Sequence, residues 1–422
     1  MNDLQFLAPF FAQKRVLILI SASVSLYKML DAISTLTKFG AHVKVVMSKE
    51  STTFINPMLF EALSKNVVLH QDSQNWTHTD APNHTSYARW AEVVLIAPAT
   101  ANTIAKLACG MADDIILCTA LASNAPKLIA PAMNTNMLNA PQTRENLAKL
   151  QTLGFNIIEP RDSLLACGEY GKGALAKHDD IIFALAQLFV EMGMFHNTGF
   201  WHGKEVIITG GGSKENIDSV RVLSNLSSGK QAYFLALALY VLGARVFLIS
   251  SSVPTILPQD LHFTEVSNSL QYYQAIIESK KMCKDKPILF MAAAIADFIP
   301  EVVSQTKIKK DSLKKLQLTL EKNMDILSKL PTSEFIKVGF KAEDDYQSAL
   351  QNAKEMLHKK ECKVVCLNVL DSLKNTFGAD TNQMTLISAD ATQETPLLDK
   401  FSLSFEILAF TQQVLLNDDY TH

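Results

Sequence analysis

A chain of 422 residues with 39 Lys+Arg, 42 Asp+Glu and a formal net charge of −3 has material for two or three domains. A composition 48% hydrophobic and 19% charged is that of a packed globular protein, not a disordered one. The near balance of charge, with an isoelectric point near 6.4, gives no reason to expect nucleic acid or a membrane surface as a partner. Six cysteines (Cys109, Cys118, Cys167, Cys283, Cys362 and Cys366) lack paired spacing, as in a reducing compartment, and no CxxC or Cys/His cluster suggests a structural zinc. The N-terminus has no basic stretch ahead of its apolar part, and no uncharged apolar run reaches the ~20 residues of a membrane helix. The expectation is a soluble, cytoplasmic protein.

In chain order, "RVLILIS" (15–21), "HVKVVMS" (42–48), "EVVLIAPA" (92–99), "KLIAPAM" (127–133) and "FNIIEP" (155–160) are nearly continuous apolar runs. Such runs predict parallel strands covered on both faces. Helical stretches lie between them, among them 25–40, with Gly40 as its C-cap. A helix over 179–194 closes this half. The polar, glycine-containing 195–204 reads as a linker. The pattern then restarts: a strand and glycines over 204–212, helix–Gly243–strand over 229–250, and strands in 287–298, 335–343 and 362–370. Alternation of this kind predicts a doubly wound parallel α/β domain over 1–194, and a second, Rossmann-like nucleotide-binding α/β domain over 205–422. Ligands of such sheets sit outside the carboxyl ends of the strands.

Three polar loops follow strands of the first half. "ISASVSLYK" places Ser21, Ser23 and Ser25 at a helix start, where hydroxyls and free N–H groups suit an anion or simply cap the helix. "PATANTIAKLACG" offers Thr100, Asn102 and Thr103. "PAMNTNM" presents Asn134 after an apolar strand, as a turn or cap residue or as a ligand group. His84 in "NHTSYARW" and Cys167 in the glycine-rich "ACGEYGKG" add groups able to move protons, although a surface histidine and a spare thiol read equally as inert. This order of motifs, spanning residues 15–180, resembles the flavin-dependent cysteine decarboxylases. The resemblance implies a flavodoxin-like fold, bound FMN, and trimers with the site at a subunit interface. It also implies Ser21, Ser23 and Ser48 at the FMN phosphate, and Thr100, Asn102 and Thr103 along the flavin. His84 would act as base or carboxylate-orienting group, Asn134 would bind the substrate carboxylate, and Cys167 would donate a proton. The flap reads "GKGALA" (171–176) where that family has G-x-G-R-M.

In the second half, Gly210 and Gly211 open a glycine loop that would let backbone approach phosphates, although neither GxxxxGK[ST] nor GxGxxG is present. "SNLSSGK" holds Asn225 at a helix entrance, as a cap or as a functional amide, and "AAAIADF" places Asp297 at a strand end. "KIKK" carries Lys307, Lys309 and Lys310, either a solvated face or a counter-charge for a triphosphate. Together with "VGFKAE" these segments resemble phosphopantothenate–cysteine ligase over 205–380. Departures are "GGGSKEN" for the family's glycine-proline-threonine-arginine run and Met324 in place of its proline. The resemblance implies CTP as nucleotide, Mg²⁺ on its phosphates, and an acyl-cytidylate stabilised by Asn225. Asp297 and Phe340 would place the nucleotide, and Lys307, Lys309 and Lys310 would contact its triphosphate. The whole chain is therefore similar to the bifunctional coenzyme A biosynthesis proteins. Its expected substrates are 4′-phosphopantothenate, L-cysteine and CTP, in a homo-oligomer with trimeric decarboxylase and dimeric ligase contacts. The alternative is a flavodoxin-like FMN-binding regulatory or assembly protein with degenerate sites.

Overall fold

The computed structural model describes residues 4–78, 81–194, 199–309, 315–370 and 378–420. The chain packs as two compact units, Met1–Phe195 and His196–His422. Part of the expected linker, 195–198, lies outside the described residues, as do Lys310 and Phe377.

In the first unit, β1 (Arg15–Ile20), β2 (His42–Met47), β3 (Val93–Ala99), β4 (Lys127–Pro131) and β5 (Phe155–Ile157) form one sheet. The order is β2-β1-β3-β4-β5 and every neighbouring pair is parallel. This is the flavodoxin-like order. All seven residues of β3 are buried, because helices cover both faces, and this is why the strand has no polar alternation. The helix expected from residue 25 opens instead as a 3₁₀ turn, Val24–Lys28, before Met29–Lys38. Ser23 Oγ accepts from the Ser25 N–H and pairs with its hydroxyl at 3.0 Å, holding the tighter turn. The glycine-rich loop expected after the fifth strand is a hairpin, β6 (Arg161–Leu164) antiparallel to β7 (Tyr170–Ala174). It lies directly on the "PAMNTNM" loop, where Met133 N–H donates to Gly173 O at 2.9 Å. A Cβ at Gly173 (φ +152°) would stand 2.3 Å from Met133 O, and one at Gly171 would stand 2.5 Å from Thr135 Oγ1.

In the second unit the strands are β8 (Glu205–Gly210), β9 (Lys214–Asn216), β10 (Val222–Ser224), β11 (Arg245–Ser250), β12 (His262–Glu265), β13 (Ile288–Met291), β14 (Phe298–Pro300), β15 (Leu320–Lys322), β16 (Ile336–Glu343), β17 (Val364–Val369), β18 (Thr381–Asn382), β19 (Thr385–Ile387) and β20 (Thr392–Glu394). The main sheet runs β12-β11-β8-β13-β16-β17-β19-β20. Its first six strands are parallel and its last two antiparallel. Numbered by appearance in that parallel part, the order is 3-2-1-4-5-6, the Rossmann arrangement, whose crevice opens between β8 and β13. The strand expected over 287–298 leaves the sheet after Met291. Ala294 and Ala296 turn to the loop after β8: Ala294 N–H donates to Gly211 O at 2.8 Å, and Ala296 N–H to Ser213 Oγ at 3.0 Å. A long helix, Lys400–Tyr420, packs on the helix Lys230–Val241 through Gln231, whose Nε2 donates to Lys400 O and Ser404 Oγ.

Residues 304–309 are tethered by a buried carboxylate. Asp218 accepts from the N–H groups of Val220 and Arg221, each at 2.8 Å, and from Ile308 N–H at 3.1 Å, and it pairs with the Arg221 guanidinium. Burial works against the Asp218 anion. The N–H groups of Val220, Ile308 and Arg221 and the Arg221 side chain outweigh it and hold the pKa at about 2, below the ordinary 3.8. The folded value lies below the unfolded one, so this stabilisation is complete above about pH 4 and is lost as pH falls towards 2. Amide exchange at Ile308, corrected for its intrinsic pH dependence, is predicted to lose protection across that window. In Asp218→Asn that acid-dependent step disappears and Ile308 is poorly protected throughout. Unchanged protection in the variant would remove Asp218 as the tether.

Candidate functional site

At the carboxyl edge of the first sheet, Ser21 is buried and engaged. Its hydroxyl donates to Pro98 O at 2.6 Å and accepts Thr100 N–H at 3.0 Å, tying the end of β1 to the loop after β3. Ser48, also buried, accepts Ser51 N–H. Thr100 caps the helix Ala101–Ala108 by accepting Thr103 N–H, and the two threonine hydroxyls pair at 3.0 Å. Asn102 stands exposed at the start of that helix. The expected serines therefore divide. Ser21 and Ser48 fasten loops, whereas Ser23 lies half-buried in the Val24–Lys28 turn region with its hydroxyl paired, among the described residues, to Ser25 alone. Sequence reasoning missed a cation here: burial, and then the positive charge of Arg161, depress the Lys28 pKa. The Ser23 and Thr100 hydroxyls, with the neighbouring charges of Lys28 and Arg161, form a donor set that fits a phosphorylated planar cofactor.

Asn134 divides its amide between two tasks. Oδ1 accepts Asn136 N–H at 2.8 Å, capping the short helix Thr135–Asn139. Nδ2 faces the hairpin tip and reaches Cys167 Sγ and Glu169 Oε2, each at 3.3 Å. Cys167 Sγ in turn lies 3.8 Å from Glu169 Oε2. The hairpin thus delivers an exposed thiol to the amide donor at the end of β4. Glu169 was not singled out in the sequence, and its place two residues after Cys167 was the available signal.

His84 begins the helix His84–Trp90, which Asn83 caps through Ser86 N–H. Gln74 Oε1 accepts from its Nδ1 at 2.9 Å, which leaves Nε2 without the proton, and the Trp76 ring stands edge-on at 5.3 Å. Burial lowers the His84 pKa, so the ring is neutral near pH 7. Among the described residues, no hydrogen bond joins His84 to Asn134 or Cys167.

The second unit holds a cavity of about 880 Å³ at the carboxyl ends of its strands. Asn225, Asp297, Phe340, Asn368 and Lys400 are in its wall. The Asn225 side chain does not cap the following helix. Its Nδ2 donates across to Ala294 O and Ile295 O, each at 3.3 Å, while Gly229 (φ +72°) takes the cap position of Lys230–Val241 without a side-chain bond. Asp297 is exposed in the wall. Gly210 and Gly211 lie in the loop after β8, beside the cavity wall formed by Gly229 and Ala232. A Cβ at Gly210 would meet Ala232 at 2.5 Å and one at Gly211 (φ +78°) would meet Ser251 at 2.3 Å, so packing within the protein already requires glycine at both positions. Lys307 and Lys309 are exposed and lie outside the wall, in the segment that Asp218 tethers.

Comparison with known proteins bears on both halves. Residues 11–190 match the family model described as flavoprotein, and residues 201–414 match the DNA/pantothenate metabolism flavoprotein C-terminal domain. The coenzyme A biosynthesis bifunctional protein CoaBC of Bacillus subtilis (strain 168) is 37% identical over 399 residues, covering 94% of this chain and 96% of that protein. The protein of the same name from Borreliella burgdorferi is 33% identical over 398 residues, covering 94% of this chain and 98% of its own length. Among solved structures, the C-terminal domain of a coenzyme A biosynthesis bifunctional protein CoaBC is 27% identical, with a TM-score of 0.42, over 51% of this chain and 97% of that one. An FMN-dependent cysteine decarboxylase is 30% identical, with a TM-score of 0.36, over 42% of this chain and 98% of that one. With relatives this similar matched along nearly the whole of both chains, this protein belongs to the family of coenzyme A biosynthesis bifunctional proteins.

Proposed function

We propose that the chain makes 4′-phosphopantetheine in two consecutive steps. The second unit joins L-cysteine to 4′-phosphopantothenate, and the first unit decarboxylates the resulting 4′-phosphopantothenoylcysteine as an FMN flavoprotein. The observation that carries this reading is the Asn134–Cys167 pair on a flavodoxin-like sheet, in one chain with a separate cavity on a Rossmann-type sheet.

An unactivated α-carboxylate loses CO₂ only if the electrons left behind have a sink. The chemistry supplied by FMN, when bound, would be reversible hydride acceptance. Ser23 and Lys28, in loops that Ser21 and Ser48 shape, would hold the FMN phosphate, and Thr100, Asn102 and Thr103 would line its ring. Neutral His84, with Nε2 unprotonated, is the base that can take the substrate thiol proton. Asn134 Nδ2 donates to the substrate carboxylate, while its Oδ1 remains committed to the cap. Cys167 gives its proton to the ene-thiolate carbon left by CO₂. His84 is not bonded to the Asn134–Cys167 pair within a protomer, which supports a homotrimer in which His84 of one protomer meets the pair of the next.

For the ligase, the reading assigns CTP as the nucleotide, with Mg²⁺ to offset the charge of its phosphates. The substrate carboxylate attacks the α-phosphate, pyrophosphate leaves, and the cysteine amine then displaces CMP. Asp297 and Phe340, in the cavity wall, would place the nucleotide, and the Asn225 amide, aimed across the cavity mouth, would donate to the acyl-cytidylate. Interfaces between ligase units would be dimeric.

His84→Asn and Cys167→Ser should each abolish 4′-phosphopantetheine formation alone, the second with release of CO₂ and accumulation of the ene-thiol. Co-expressed, the two variants should form mixed oligomers that regain part of the activity. No recovery in a mixed oligomer verified by mass would place the whole site within one protomer.

Asn225→Asp replaces a donor with a negative charge. It should slow pyrophosphate release in the presence of CTP, Mg²⁺ and phosphopantothenate by about 100-fold or more and leave decarboxylation unchanged. Ligation at the wild-type rate would remove Asn225 from the mechanism, and wild-type turnover with ATP alone would remove CTP.

A further inference from the structure

Lys400 is the residue on which the second unit's charges do not close. It opens the 21-residue helix Lys400–Tyr420 and is 7% exposed, yet it lines the 880 Å³ cavity. Among the described residues its ammonium donates no hydrogen bond and has no carboxylate within ion-pair distance. A buried cation left so carries a desolvation cost that a counter-ion must offset. The nearest charges do not supply one. Lys230 is a second cation, and Asp380, whose side chain is 87% exposed, spends an oxygen on Lys230 at 2.6 Å. Asp399, just before the helix, uses its carboxylate on Phe401 N–H, Ser402 N–H and the Ser402 hydroxyl. Burial, followed by the charge of Lys230, depresses the Lys400 pKa and outweighs the opposing charge of Asp380.

A third source of positive potential adjoins these two. The helix Lys230–Val241 has Gly229, which has no side chain, at its cap position, and the Lys230 N–H has only a long bond to Ser228 Oγ at 3.5 Å. Gln231 in its first turn donates to Lys400 O and Ser404 Oγ, which holds the two helix starts side by side. Ser227 and Ser228, immediately before, line the same cavity.

We infer that Lys400, with Lys230 and the start of the helix that follows Gly229, forms a phosphate subsite of the ligase cavity. Lys400 is the buried cation that a substrate phosphate neutralises. The inference rests on the ligase reading above and goes beyond it, because it assigns the anion to this corner of the cavity instead of to Lys307 and Lys309. The phosphate can come from the nucleotide or from the phosphomonoester of phosphopantothenate, and the chemistry of recognition is the same for both.

The test uses the full chain with Lys400→Met and Lys400→Arg. In the ligation assay, Lys400→Met should raise the KM for one phosphate-bearing substrate about tenfold or more, leave the KM for cysteine unchanged, and be largely rescued in Lys400→Arg. A rise confined to the nucleotide makes this its triphosphate subsite, and a rise confined to phosphopantothenate makes it the phosphomonoester subsite. Inorganic pyrophosphate should raise the melting temperature of the wild type and not that of Lys400→Met. If the variants fail to fold, acetylation of Lys400 in the wild type, followed by mass spectrometry, should be slowed by pyrophosphate. Wild-type KM values for both phosphate-bearing substrates in a folded Lys400→Met, or acetylation indifferent to pyrophosphate, would overturn the subsite. A wild-type chain that is stabilised by pyrophosphate but does not ligate would instead overturn the ligase reading and leave the anion site standing.

Discussion

Both units depend on the same constraint: parallel strands release their polar chain ends at one edge of the sheet, where the backbone must find new partners. In the first unit the neighbours β1 and β3 send their chains to opposite sides. The Ser21 hydroxyl closes the gap by bonding Pro98 O and Thr100 N–H. In the second, the loops after β8 and β13 bond each other through Gly211 O and Ala294 N–H, and through Ser213. These closures leave the next residues along each chain facing the crevice. Several of the groups assigned to chemistry come from them: Thr100 and Asn102 in one unit, Asn225 and Asp297 in the other.

The hairpin over β4 shows how packing is turned into chemistry. It can lie on the Met133 carbonyl only because residues 171 and 173 have no side chains. That contact sets where Cys167 hangs, and Asn134 meets it with the one half of its amide that capping leaves over. An asparagine at this position can cap and bind at once because its carbonyl and amine are separate groups. The choice between turn residue and ligand group was therefore not a real alternative.

Much of this was legible in the sequence, for a physical reason. Strands buried on both faces have to be apolar throughout, so β1, β2, β3 and β4 stand out of the chain at nearly their observed limits. The motifs around His84, Asn134 and Cys167 stood out by their order along the chain, which resembles that of the flavin-dependent cysteine decarboxylases. The packing that also requires glycine at 210 and 211, against Ala232 and Ser251, was not legible in the sequence. What stayed hidden was burial of single residues. Nothing about Lys400 in "PLLDKFS" distinguishes it from a surface lysine until the fold encloses it, and Asp218 becomes an anchor only when Ile308 arrives from 90 residues away.

The central claim is that one chain carries two consecutive reactions in separately folded units. The most direct measurement is mass spectrometry of the products formed when purified, FMN-loaded full-length protein is given phosphopantothenate, L-cysteine, CTP and Mg²⁺ together. The account predicts transient 4′-phosphopantothenoylcysteine followed by 4′-phosphopantetheine, one CO₂ lighter in its carboxyl carbon. A preparation that takes up FMN, consumes CTP and yields neither compound would contradict it.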